Sequence, residues 1–134
     1  MEVKVRLSET DQLGHINNVS YFIYLEEARL HFLQSHGLDF KKNDQVFLLA
    51  SVGCDFIRQG YFGQKFHIDT VVSRVGTKSL TLTSFIHEKT TDRLIAKGTS
   101  TLVWFDMEKQ VSAPIPGDLK MKLKQMEVEE EGEG

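Results

Sequence analysis

The chain has few of the residues that staple, break or anchor a fold. Cysteine occurs once, at Cys54, so no internal disulfide can form and no CxxC pair is available to hold a metal. Cys54 sits in a strand-like run and reads as a packing residue. Proline occurs twice, at Pro114 and Pro116, so that helix- and sheet-breaking signal is missing from everything before them. No stretch approaches the ~18 consecutive apolar residues of a membrane-spanning helix, so no membrane partner is expected. Positive charge is not in excess: 16 Lys and Arg stand against 19 Asp and Glu, a net charge of −3. That balance argues against nucleic acid as a partner, which needs a basic face to replace counterions. It leaves room for a local basic patch that grips the phosphates of a small ligand.

Much of the net negative charge comes from residues 127–134, a block rich in glutamate and glycine that reads as a disordered tail. At the other end the chain goes straight into an alternating run, Val3, Val5 and Leu7, without the apolar core of a signal peptide. A cytoplasmic location is therefore expected. With 134 residues, 40% hydrophobic and 26% charged, the sequence suits one globular domain, expected over 1–118.

Met1–Leu7 alternates apolar against charged residues and predicts a half-buried strand. Ser8–Asn18 is polar, contains Gly14 and has no period, as a loop would. Val19–His36 is the one convincing helix: Tyr21, Leu25, Ala28 and Phe32 follow helical spacing, and Phe22 and Leu33 widen the stripe. Asn17 or Asn18 can cap its start and Gly37 its end. Strands follow at Phe47–Phe56, Phe66–Val75, Ser79–Glu88 and Leu94–Phe105, joined by short connections that suit an antiparallel meander. Leu119–Met126 is expected to form a short helix. A lone long helix followed by consecutive long strands points to an α+β fold in which a curved antiparallel sheet wraps the helix.

The informative stretch is Glu9-Thr10-Asp11-Gln12-Leu13-Gly14-His15-Ile16-Asn17-Asn18-Val19-Ser20-Tyr21. It offers a carboxylate, a glycine turn, an imidazole and two amides leading into a helix. The helix start presents backbone N–H groups without internal partners and the positive end of the macrodipole. An oxygen gaining negative charge would be stabilised there. Asp11, one loop upstream, can attack a carbonyl held at that helix end or activate water against it, so the pair is sufficient for acyl transfer. No GxSxG elbow is present, which argues against a serine hydrolase. Plainer readings stand beside these. Asp11 can simply shape a turn, His15 can hold the loop in form, and Asn17 and Asn18 can act only as caps. Glu26 and Arg29 read as a structural pair across one helical turn. Arg58, His67 and His87 read as surface or edge residues.

Thr10-Asp11-x-x-Gly14-His15-x-Asn17-Asn18, then Tyr21, then Glu26-x-Ala28-Arg29, resembles the signature of hotdog-fold thioesterases of the 4-hydroxybenzoyl-CoA thioesterase type. The likeness extends over most of the chain, continuing weakly through Arg74-x-Gly76-x-Lys78-Ser79 and Val103-x-x-Asp106. It implies the hotdog fold, an acyl-CoA substrate, hydrolysis without metal or cofactor, and a homodimer or a dimer of dimers with active sites between subunits. By motif position, Asp11 corresponds to the catalytic carboxylate and the Asn18 amide to the group that polarises the thioester carbonyl. His15 is the next catalytic candidate. Gly14, Asn17 and Tyr21 are candidates for substrate binding, and Arg74, Lys78 and Ser79 for gripping the nucleotide phosphates. Residues 15–18 differ from the aromatic residues of the aryl-CoA prototype, so an aryl preference does not carry over; Phe22, Tyr24, Phe56 and Phe62 are candidates to line an acyl channel. Two other functions compete. Hotdog dehydratases carry Asp-x-Asn-Pro-x-His, whereas three residues separate Asp11 from His15 here and no proline intervenes. A non-hydrolytic acyl-CoA-binding domain would not need Asp11.

Overall fold

A computed structural model of the chain describes residues 1–38 and 41–128. Strand β1 (Glu2–Lys4) is followed by a single 3-10 turn (Leu7–Glu9), a loop, and helix α1 (Asn18–Ser35). Then come β2 (Lys41–Lys42), β3 (Gln45–Phe56), β4 (Lys65–Val75), β5 (Ser79–Glu88), β6 (Leu94–Asp106), β7 (Val111–Ser112) and helix α2 (Gly117–Met126). The strands form one sheet in the order β1-β4-β5-β6-β3-β2, with β7 paired to β6. The β1–β4, β2–β3 and β6–β7 pairs are antiparallel. This is the expected α+β hotdog class, with a long helix packed against an antiparallel sheet.

The chain gathers into two compact units. The first comprises Met1–Phe32, Gly53–Thr70 and Ser84–Gly98, and the second Leu33–Val52, Val71–Thr83 and Thr99–Gly134. In the first, the buried stripe of α1, with Tyr21, Tyr24, Leu25 and Ala28, meets Val5, Phe66, Ile68, Ile86, Ile95 and Ala96. Each large side chain buried this way contributes about 1.5–3 kcal/mol from apolar transfer. The close approach of α1 depends on Gly98 in β6, where a Cβ atom would lie 3.0 Å from Leu25 Cγ. Arg29 also lies on the buried side of α1; burial lowers its pKa, and Glu26 opposes that shift.

In the second unit, Trp104 is fully buried and donates its indole N–H to Gln45 Oε1 at 2.6 Å, with the Phe47 ring edge-on at 4.8 Å. Helix α2 buries Leu119 and Leu123. Just beyond it, Glu127 accepts a hydrogen bond from the Val75 amide at 2.9 Å, and the Val128 amide donates to Val72 O. The acidic tail expected over 127–134 lies outside the described residues from 129 onward.

The first strand is shorter than expected. Val5 is buried as the alternation requires, but Leu7 is 70% exposed and already belongs to the 3-10 turn. The cause is Glu9, whose carboxylate bonds back to the Arg6 amide and guanidinium and turns the chain away from the sheet.

Candidate active site

The Thr10–Tyr21 stretch, the β3–β4 connection and the start of α1 all belong to the first unit. The loop folds back on itself. Asp11 N donates to His15 O at 2.7 Å, Asn17 N donates to Glu9 O at 2.9 Å, and Thr10 and Ile16 form an antiparallel bridge. Gly14 makes the reversal with φ +81°, the left-handed region that favours glycine. Asp11 thus lies two residue rises, about 7 Å along the ladder, from the level of Asn17 and the helix start.

Asp11 is exposed, and its Oδ1 accepts the Leu13 amide at 2.8 Å and the His15 amide at 3.1 Å. Both bonds fall on one oxygen, Oδ1. The plainer reading of Asp11 as a turn former is therefore realised, and it leaves half of the carboxylate available for chemistry. His15 is half-buried with its ring edge-on to Tyr61 at 5.0 Å, and its backbone bridges to Tyr61. That contact makes the imidazole part of the loop's packing.

At the helix start, Asn17 is the cap. Its Oδ1 accepts the Val19 amide at 3.1 Å and its carbonyl accepts the Ser20 amide at 2.9 Å. Asn18 is the first helical residue and is exposed; by position its N–H has no acceptor within the helix. Asn18 and Tyr21 line a cleft of about 150 Å³ with Phe56, Ile57, Arg58 and Gln59. The Tyr21 hydroxyl is pushed up to about 12, first by burial and then by the neighbouring Cys54 thiol, against a hydrogen bond from the Gly60 backbone. Burial likewise raises the Cys54 thiol to about 11, which removes it as a thiolate nucleophile and fits the packing role read for it.

A larger cleft of about 580 Å³ lies among Phe62, Gln64, Lys65, Glu88 and Lys89. It touches neither Asp11 nor the helix start, and its Glu88 is already satisfied by the Thr90 and Thr91 amides. The smaller cleft is the one that brings the helix start together with Phe56 and Ile57.

The remaining candidates are placed elsewhere. Arg74, Lys78 and Ser79 lie in the second unit at the β4–β5 turn, where Gly76 N donates to Ser79 O, and the Arg74 and Lys78 side chains are exposed. Of the aromatics expected near an acyl chain, Phe56 lines the cleft and Phe22 packs edge-on to it at 6.3 Å. Tyr24 is core, and Phe62 is 57% exposed beside the larger cleft.

Sequence reading missed two residues that hold the site. Gly60 lets the β3–β4 connection lie against the loop, accepting the Ile16 amide at 2.8 Å. A Cβ atom there would collide with Ile16 Cδ1, with Tyr21 Oη at 2.8 Å and with Phe66 Cζ at 2.9 Å. Glu9 is buried and ties the loop to α1: besides its Arg6 bonds, its Oε1 accepts the Tyr24 hydroxyl at 2.9 Å, and its carbonyl takes the Ser20 hydroxyl at 3.1 Å. The buried hydroxyl of Tyr24 was the available clue, because such a group demands a partner.

Burial alone would raise the Glu9 carboxyl, but the bonds from Arg6 and Tyr24 outweigh it and hold it below the usual 4.5. A carboxyl depressed in the folded state lends stability that is complete above the unfolded value and is lost as pH falls through the folded one. Glu9→Gln is therefore expected to cost about 1–3 kcal/mol at neutral pH and to flatten the loss of stability below pH 4.5. Urea unfolding of both proteins across that range tests this; an unchanged acid limb in the variant would remove Glu9 from the account.

Residues 5–123 match the model of the thioesterase-like superfamily. The uncharacterized protein YsmA of Bacillus subtilis is 40% identical over 81 residues, a match spanning 60% of this chain and 55% of that protein. The long-chain acyl-CoA thioesterase FadM of Escherichia coli is 26% identical over 127 residues, covering 93% of this chain and 96% of that one. Among solved structures, a predicted thioesterase from Bacillus stearothermophilus superposes with a TM-score of 0.82 at 31% identity, covering 98% of this chain and 97% of that one. With the family model extending from just after β1 into α2, the chain belongs to the thioesterase-like superfamily of hotdog-fold thioester hydrolases.

Proposed function

We propose that the protein hydrolyses an aliphatic acyl-CoA thioester, with Asp11 supplying the base or nucleophile and the Asn18 amide holding the carbonyl oxygen. The observation that carries this reading is the meeting, in one unit, of a half-available carboxylate, an unsatisfied helix-start amide and a cleft walled by Phe56 and Ile57. In the general-base route, Asp11 Oδ2 takes a proton from water while the hydroxide adds to the thioester carbon. The tetrahedral oxyanion rests against Asn18 N–H, the C–S bond breaks, and the departing thiolate takes the proton. In the nucleophilic route Asp11 itself adds to the carbon, the C–S bond breaks and the thiolate leaves, and water then cleaves the resulting anhydride at the Asp11 carbonyl. A single turnover in ¹⁸O-labelled water separates the two, because only the second leaves label in Asp11. The aliphatic preference follows the named substrate class of FadM.

The active form is a homodimer, or a homotetramer built from two of them. Ligand pockets usually span about 300–1,000 Å³, and the cleft at Asn18 offers only about 150 Å³. A second chain completes it. Strand β3 is paired on its outer side only where Lys41 and Lys42 meet Val46 and Gln45. Beyond that, Leu48, Leu49, Val52 and Phe56 are 37–44% exposed, on an edge that among the described residues has no further strand partner. A long apolar edge of this kind is a template for a neighbouring strand. Arg74, Lys78 and Ser79 would grip the coenzyme A phosphates.

Thiol release from acyl-CoAs of graded length, aryl-CoAs and an acyl-carrier-protein thioester tests the reaction, and sedimentation of the same preparation tests the assembly. Release strongest for aliphatic acyl-CoA from a dimer or tetramer is expected. No release from any thioester would leave a binding role, and activity from a monomer would remove the shared site.

A further inference from the structure

Away from the active-site loop, the described residues bring together His67 on β4, His87 on β5 and Asp92 in the turn before β6, with potential metal-ligand atoms all within 4.8 Å of one another. The two imidazoles stack at 5.1 Å between centroids and 16° between planes. His67 Nε2 lies 3.2 Å from Asp92 Oδ1, and its Nδ1 lies 3.5 Å from Asp69 Oδ2. The Nδ1 atom of His87 is buried and has no hydrogen-bond partner.

These contacts are hard to satisfy with protons alone. A neutral imidazole has one N–H and one lone pair. His67 faces a carboxylate oxygen at each nitrogen, so a neutral ring leaves one lone pair against another, and a ring protonated at both nitrogens satisfies His67 but still leaves His87 Nδ1 without a partner. A buried polar nitrogen without a partner, as at His87, costs free energy comparable to a lost hydrogen bond. A cation among the three side chains removes the first conflict and supplies positive charge beside the Asp92 carboxylate.

We propose that His67, His87 and Asp92 form a site for a first-row divalent transition metal, with Zn²⁺ the best fit. Two imidazoles and one carboxylate are the nitrogen and oxygen donors zinc takes in tetrahedral sites, with water in the fourth position. Mg²⁺ and Ca²⁺ prefer all-oxygen shells and fit poorly. Asp69 stands behind His67 as the outer carboxylate that holds Nδ1–H and turns the Nε2 lone pair toward the metal. Metal–ligand bonds of about 2.0–2.2 Å in a tetrahedron put donor atoms about 3.3 Å apart, so the cluster has to draw in. Its most mobile member is suited to that, the Asp92 side chain being 80% exposed. A bound ion would tie β4 and β5 to the β5–β6 turn, and hydrolysis at Asp11 needs none of these residues.

The test is calorimetric titration of the untagged chain with Zn²⁺, followed in parallel by the ¹H–¹⁵N signals of the histidine rings. One ion per chain is expected, with the His67 and His87 signals moving, no response to Mg²⁺ and a higher Tm with Zn²⁺. His67→Gln and His87→Gln should each weaken binding at least about 10–100-fold, the loss typical of even outer-shell partners. His31→Gln should not. Asp92→Asn changes an exposed side chain and so tests the site without disturbing packing; it too should weaken binding. Absence of any heat or ring shift with excess Zn²⁺, or binding undiminished in the His67 and His87 variants, overturns the site.

Discussion

Asp11→Asn is expected to lower kcat on the preferred acyl-CoA by about a hundredfold or more, about 2.7 kcal/mol of barrier, with little change in Tm. The separation of activity from stability follows from the geometry of the loop. Both hydrogen bonds to the side chain enter at Oδ1, from the Leu13 and His15 amides. Asparagine keeps a carbonyl oxygen able to accept both, so the turn, the Gly14 reversal and the pairing of Asp11 with His15 survive. It loses negative charge and basicity at the other position, where a water or a thioester carbon would be met. Asp11→Ala removes the acceptor as well and should cost stability along with activity. The comparison between the two variants therefore distinguishes a carboxylate that reacts from one that only shapes the loop. His15→Gln, whose native ring is engaged with Tyr61, should leave kcat within about tenfold, less than general acid–base groups usually contribute. Asp11→Asn with near-native turnover would pass the chemistry to another group.

What the sequence revealed and what it hid divide along chain distance. The Thr10–Asn18 loop was legible because its geometry is local. Asp11, Gly14 and Asn17 act through turn and cap geometry that depends on neighbours a few residues away. The long strands and α1 were legible because each sustains its period over many residues, and their ends fell within two or three residues of expectation. Strands β2 and β7, at two residues each, have no period to read; the non-glycine residues Asn43 and Gln110 with positive φ beside them are their only local mark. Gly60 was hidden because its role lies chiefly against Ile16 and Tyr21, about forty residues away in sequence. Glu9 was hidden for a different reason. A carboxylate in a polar stretch without a period reads as a solvated loop residue, and only the fold reveals that Arg6 and Tyr24 converge on it. His67 and His87 read as edge residues because nothing in either strand announces that β4 and β5 set the two rings in a stack.

Asn18→Pro should cripple catalysis while leaving the fold in place, lowering kcat by about 10²–10³, the usual cost of losing one oxyanion donor. The proposed donor is a main-chain N–H, so no ordinary side-chain replacement removes it; Asn18→Ala should be nearly silent. Proline removes the N–H itself. In most of a helix that would cost about 3 kcal/mol or more, but Asn18 is the first helical residue, the one position where proline is favoured because its amide has no helical acceptor to lose. The residue before a proline is confined to extended backbone, which is the conformation a capping residue such as Asn17 adopts. The cap bonds from Asn17 to the Val19 and Ser20 amides do not involve the Asn18 nitrogen. Folding should therefore be nearly unaffected while the carbonyl loses its partner. Stopped-flow thiol release beside thermal unfolding reads both quantities. A large fall in kcat at unchanged Tm, with the Ala variant near native, supports the amide as the oxyanion donor. Native-like turnover by Asn18→Pro would move that role to another amide of the first helical turn.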